Sequence, residues 1–151
     1  MFKPRLPKDK QMRQGVSNIE WATPKSRHAP GIHQHLDQMA TDILCLCEAY
    51  SEFREGRGHR IECDEDYGYT TQLGRRKAML WSRQPWHDVD VTGDEALPPG
   101  RFVSGTTQIT LGPVRVIGVC IPWSHAHLFD PVYQSALTCI ASEVPASVNR
   151  H

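Results

Sequence analysis

DILCLCEA, residues 42–49, is an apolar run that ends on a carboxylate, Glu48. A short run rich in Ile, Leu and Cys is the pattern of a strand buried on both faces. In such a strand Leu44, Leu46 and Glu48 share one face, and Ile43, Cys45 and Cys47 the other. A carboxylate on an apolar face is costly unless it stands at the sheet's end, beside water, a cation or a donor. Strand ends of layered folds combine a rigid scaffold with open loops, and reactive groups are commonly carried there. Glu48 is therefore a candidate functional residue. The plain alternative is a glutamate that reaches solvent.

The flanking segments predict what this strand pairs with. Residues 15–22, GVSNIEWA, alternate: Val16, Asn18 and Glu20 fall on one face, Ser17, Ile19 and Trp21 on the other, as in a strand. Residues 23–31, TPKSRHAPG, read as a loop from their Pro and Gly content. Residues 32–41 place Ile32, His35, Leu36 and Met39 on a helical stripe. Strand, helix, strand in this order predicts a βαβ-like unit.

Beyond Glu48 the chain turns polar and Gly-rich. Four further strand-like segments follow: 59–69, 77–86, 101–111 and 114–122. Turn signals between them include Gly74, Pro98–Pro99–Gly100 and Gly112–Pro113. This hairpin-like spacing predicts a mixed or antiparallel sheet, so the fold class is α/β with an α+β-like character. Residues 130–142 fit a helix with Asp130 as cap and Pro131 in its first turn.

At 151 residues the chain is sized for one domain. Its formal net charge is zero, unlike a strongly basic nucleic-acid binder. The charge is uneven, however. Residues 1–31 carry seven Lys and Arg against Asp9 and Glu20. Residues 1–14 read as a flexible basic arm, either solvated or steering phosphate. Five cysteines without framework spacing suggest free thiols in a reducing, cytoplasmic setting. No apolar run approaches a membrane span, and no secretory signal is visible.

Asn18 sharpens the reading of Glu48, because the crossover can set it beside that residue. An amide and one carboxylate suit a hard divalent cation, Mg²⁺ or Mn²⁺, which keeps several waters and takes one or two carboxylates plus phosphate oxygens. Zinc is the rival metal, through Cys45-x-Cys47, His33-x-His35 and His125-x-His127. None of these has finger spacing, and Cys45 and Cys47 point into a core.

The series NIEWA, DILCLCEAY, RRKAMLWSRQPW, PPGRFVSGTT and GPVRVIGVCIPW, spanning residues 15–127, resembles the N-terminal half of the endonuclease/exonuclease/phosphatase superfamily. The resemblance implies a deoxyribonuclease I-like fold, a four-layer α/β sandwich of two packed mixed sheets. It implies that Glu48 is a metal ligand and that Asn18 lies beside it, near the metal and the scissile phosphate. The implied reaction is Mg²⁺-dependent hydrolysis of a phosphoester by in-line attack of water. His125 and Trp123, in the loop after the last strand, could line the site, His125 otherwise being an ordinary loop histidine, and Arg101 in PPGRF would face substrate or be a surface arginine near its turn. Arg75, Arg76 and Lys77 could touch phosphate or form a solvated hairpin end.

Two family motifs do not occur in this sequence. Gly93–Asp94 continues Glu95–Ala96 rather than x-Asn, and no Ser-Asp-His is present. Several family enzymes carry Tyr or His two residues before the strand-ending proline, where this chain has Cys120. From Leu128 the sequence departs from the pattern, so residues 128–151 are expected to be a divergent tail. The expectation is a truncated half-domain with one inner sheet face uncovered and available for association. The alternatives are an inactive remnant, or a phosphate- or nucleic-acid-binding module using the basic arm with Trp21, Trp81, Trp86 and Trp123.

Overall fold

The computed structural model describes residues 11–65, 70–95, 97 and 99–121. The elements in chain order are β1 (Gln14–Asn18), α1 (Ala29–Gln38), β2 (Ile43–Tyr50), β3 (His59–Glu62), β4 (Arg75–Ser82), β5 (Trp86–Asp90), β6 (Phe102–Ile109) and β7 (Gly112–Val119).

The DILCLCEA run forms β2 and organises the first sheet, whose strand order is β1-β2-β4-β3. β1 lies parallel to β2, as a strand-helix-strand crossover requires, and β2, β4 and β3 are antiparallel in turn. The second sheet, β5-β6-β7, is wholly antiparallel. The fold is mixed α/β, with two sheets and a single helix among the described residues.

Alternation along β2 and β4 sorts the side chains into two cores. Leu44, Leu46, Met79 and Trp81 pack with Leu36 and Ala29 of α1. Cys45, Ala78 and Leu80 face the other way and pack with Cys63, Val103 and Val116 between the sheets. Leu36, Leu44, Leu46 and Leu80 are almost fully buried. Burying each such side chain is worth about 1.5–3 kcal/mol. The sheets approach so closely at Gly118 that an added Cβ would stand 2.9 Å from a Leu80 methyl.

Several expectations are corrected here. The inner face expected to be uncovered is open only in part. Among the described residues the inner faces of the two sheets cover each other around Cys45, Ala78 and Leu80, while Val16, which pairs with Cys45 on that same face, is 72% exposed and leaves the face open at β1. The exposed large apolar side chains include Val16, Leu73, Val89, Leu111, Ile117 and Ile121. Of these, Ile117 alternates with the inward Val116 and Gly118 and so lies on the outer face of β7.

β1 stops at Asn18 because Glu20 and Trp21 adopt left-handed backbone, at φ +49° and +60°. α1 begins at Ala29, inside the expected loop, with Pro30 in its first turn, where its missing N–H costs nothing. The expected strand 77–86 is two strands. The chain bends at 83–85 and crosses to the second sheet, and the buried Ser82 and Thr107 hydroxyls, 3.0 Å apart, sit at this crossing. Thr107 also donates to the bend, 3.1 Å from the Pro85 carbonyl.

The last residues of the expected arm are hydrogen-bonded to the start of β2. Arg13 N–H donates to Asp42 Oδ2 at 3.0 Å, and the Arg13 carbonyl accepts from Asp42 N–H at 2.7 Å. Residues 1–10, the proposed helix 130–142 and the tail 128–151 lie outside the described residues.

Candidate functional site

The site grows from the C-terminal end of β2. Glu48 has φ +53°, a backbone region that a residue with a Cβ adopts only when its surroundings impose it. Here the surroundings are the turn after β1. Ile19 N–H donates to the Cys47 carbonyl at 3.1 Å, and Trp21 N–H to the Glu48 carbonyl at 2.7 Å. Ile19 and the left-handed Trp21 thus clamp the backbone at Cys47 and at the left-handed Glu48.

The parallel register pairs Asn18 with Cys47, one residue short of Glu48. The crossover therefore brings Asn18 to the same strand end as Glu48. Its Oδ1 accepts from Glu20 N–H at 2.8 Å, so the amide also holds the turn. Asn18 lines a surface groove of about 550 Å³ shared with His28 and His35 of the helix region.

Glu48 stands across from Lys77, whose Nζ lies 3.5 Å from Oε1. The pair is partly sheltered, with side-chain exposures of 16% for Lys77 and 27% for Glu48. Lys77 also lies over the Trp21 ring, 4.9 Å from its centroid. Arg75 covers the same ring at 4.8 Å and donates from Nε to the Tyr50 hydroxyl at 3.0 Å. Trp21 and Tyr50 meet edge to face, 6.5 Å apart. Arg76, which alternates to the opposite face, pairs with Glu62 and Glu65.

The basic run is therefore split between the two faces of β4, and its odd-numbered members build the wall around Glu48. Sequence reasoning found Glu48 and Asn18 but left Lys77 as the end of a hairpin. The signal was present: Arg75 and Lys77 share the parity of the apolar Met79 and Trp81, so they belong on the face that carries Leu46 and Glu48.

The second sheet reaches the same end. The Cys47 thiol interacts electrostatically with both Cys45 and Cys120, the latter just past β7. At Cys47 the interaction with Cys120 favours the thiolate. The interaction with Cys45, burial, and the Cys45 and Glu48 charges outweigh it and push the pKa up to about 12. At Cys45 the interaction with Cys47 dominates and lowers the pKa. Cys120 is raised by its interaction with Cys47 and by burial, against the opposing charges of Lys77 and Arg101. Lys77 and Arg101 are thus both within electrostatic reach of one thiol.

Arg101 is 2% exposed, not the surface arginine its turn suggested, and its carbonyl accepts from Cys120 N–H at 2.9 Å. Cys120 stands among thiols where Tyr or His was expected by resemblance. Trp123 and His125 lie outside the described residues.

Two oxygen donors at one strand end, a carboxylate and an amide, are hard ligands and fit Mg²⁺ better than Zn²⁺. Among the described residues no three His, Cys, Asp or Glu side chains are arranged to hold a metal ion. Glu48 with Asn18 would supply the one or two protein ligands that Mg²⁺ accepts alongside water. No helix among the described residues is long and apolar enough to cross a membrane. Comparisons with protein-family models, curated proteins and solved structures return no match.

Proposed function

We propose that the chain carries the N-terminal half of a Mg²⁺-dependent phosphoesterase of the endonuclease/exonuclease/phosphatase type, with a deoxyribonuclease I-like arrangement of its sheets. The observation that carries this reading is the convergence at one end of the two-sheet sandwich. Glu48 and Asn18 come from adjacent parallel strands. Lys77 opposes Glu48, and Arg101 and Cys120 arrive from the second sheet. The residue types are those of a phosphoester site: a carboxylate and an amide for a hard cation, and two basic side chains nearby for phosphate.

In this proposal Glu48, with Asn18, holds the metal, which when bound supplies charge stabilisation to the phosphoryl and leaving oxygens. Lys77 stands beside the Glu48 carboxylate and balances its charge until the cation arrives. The clamp from the 20–21 turn fixes the backbone that aims it. Arg101, Trp123 and His125 are the proposed substrate-facing residues, and His125 the proposed proton-handling one.

A second reading has its own observation. Lys77 already neutralises Glu48, so this end of the molecule can hold phosphate as a binding module or as an inactive relative of the enzymes. The two readings separate in a chelator. Supercoiled plasmid and a soluble inositol phosphate are incubated with the chain in Mg²⁺ or EDTA. The enzyme reading expects nicking or phosphate release only with Mg²⁺. Phosphate binding that persists in EDTA without turnover in Mg²⁺ supports the binding module instead.

A further inference from the structure

We infer that Lys77 and Arg75, mounted on Trp21, form a phosphate-oxyanion site in which Glu48 is the internal stand-in for the ligand. The inference rests on the reading of this strand end as a phosphoester site, and it adds which residues grip the phosphate and what they grip before it arrives.

The geometry supplies three parts. First, the two cations share one aromatic anchor. Arg75 and Lys77 are two residues apart on one face of β4, and their charged groups stand 4.8 and 4.9 Å from the same indole centroid. A cation over an aromatic face is attracted by the ring, so Trp21 helps to position both groups. Tyr50 fixes Arg75 further by accepting from Nε at 3.0 Å.

Second, the anion now beside Lys77 is loosely held. The Lys77–Glu48 separation of 3.5 Å is long for a charge-assisted hydrogen bond, and the carboxylate comes from the strained residue at φ +53°. A phosphate offers more oxygens and more charge than the Glu48 carboxylate.

Third, the surroundings are positive. Arg101 joins Lys77 in acting on Cys120, so a third cation faces this end from the second sheet. The site is only partly exposed, which weakens solvent screening and strengthens the attraction for an oxyanion.

This arrangement makes an unusual claim about Glu48: it competes with phosphate when no metal is present. Removing its charge should therefore strengthen phosphate binding in chelator. A purely structural salt bridge would give the opposite result or none.

The test is titration of the full chain with inorganic phosphate in EDTA, followed by calorimetry. The variants are Lys77→Met, Lys77→Arg, Arg75→Met and Glu48→Gln, with circular dichroism to verify folding. Lys77→Met and Arg75→Met are expected to weaken binding about tenfold or more, the loss of a hydrogen bond to a charged group. Lys77→Arg is expected to retain binding, which guards against a fold defect in Lys77→Met. Glu48→Gln is expected to bind several-fold more tightly than the parent. Dimethyl phosphate in a parallel titration distinguishes a site for diesters, which binds both ions, from one for the free dianion.

No binding by the parent chain, unchanged binding in folded Lys77→Met, or weaker binding in folded Glu48→Gln overturns the inference. The phosphoesterase reading is tested separately by Mg²⁺-dependent turnover, so each can fail while the other stands.

Discussion

The thiols of Cys47, in β2, and Cys120, just past β7, act on each other electrostatically, and this interaction links the two sheets one residue before Glu48. Cys47 pairs with Ala78 in the first sheet, and the Ala78 carbonyl accepts from Cys63 N–H at 3.1 Å. The backbone of Glu48 is thus braced from two sides, by the pairing of β2 with β4 and by the turn carrying Trp21.

The thiols should differ in reactivity. With Cys45 lowered, Cys47 pushed up to about 12 and Cys120 raised, iodoacetamide at mildly alkaline pH should label Cys45 before Cys47 and Cys120. Peptide mapping by mass spectrometry reads the order directly. Because folding raises the Cys47 pKa, the folded chain keeps a proton that the unfolded chain releases near pH 9.0. That contribution to stability is present below pH 9.0 and is lost as pH rises through about 12. Denaturant titrations of the parent and Cys47→Ala should diverge in slope across this window. Earlier labelling of Cys47 or Cys120 contradicts the arrangement.

Packing between the sheets gives a second prediction. Gly118 lies against Leu80 with room for no more than a hydrogen, since a Cβ would stand 2.9 Å from Cδ2 and 3.1 Å from Cγ. Gly118→Val should destabilise the fold by about 1–3 kcal/mol through overpacking, measured by urea unfolding. A neutral result would mean that the sheets are farther apart than described.

His33 stacks on Phe53 with ring centroids 4.5 Å apart. Burial first, then the charges of Arg57 and Arg54, lower its pKa below 6.5 against the opposing pull of Asp37. The unfolded chain therefore takes up a proton before the folded one does. Stability from this residue is full above pH 6.5 and falls as pH drops through the lower folded value. His33→Gln should flatten the stability profile below pH 6.5, as read by thermal melts. An unchanged slope would show that other groups set it.

The sequence made the middle of the molecule legible because its signals are local. The apolar run of β2, the helical stripe of Leu36 and its neighbours, and the crossover that places Asn18 beside the end of β2 follow from periodicity alone. What it concealed depends on contacts between distant segments. The split of residues 77–86 into β4 and β5 is set by the crossing between sheets at Ser82 and Thr107, which periodicity does not record. The early stop of β1 follows from left-handed backbone at Glu20 and Trp21, residue types that do not announce it. The burial of Arg101 could not be read from a Pro-Gly turn.

Glu48 was legible as a candidate because a carboxylate interrupts an apolar strand. Its partner Lys77 was harder to see, because its role depends on the β2–β4 register rather than on its neighbours in sequence.

Metal-dependent turnover tests the account most directly. The parent chain and Glu48→Gln are compared in Mg²⁺, with a chromogenic phosphodiester as substrate and circular dichroism to verify the fold. The account predicts activity in the parent that EDTA abolishes. It predicts a fall on the order of 100-fold or more in Glu48→Gln, the scale of losing one preorganised electrostatic group at a reacting centre, with the fold intact. Equal rates for the parent and Glu48→Gln, or turnover that persists in EDTA, would contradict the assignment of Glu48 as the metal-holding carboxylate.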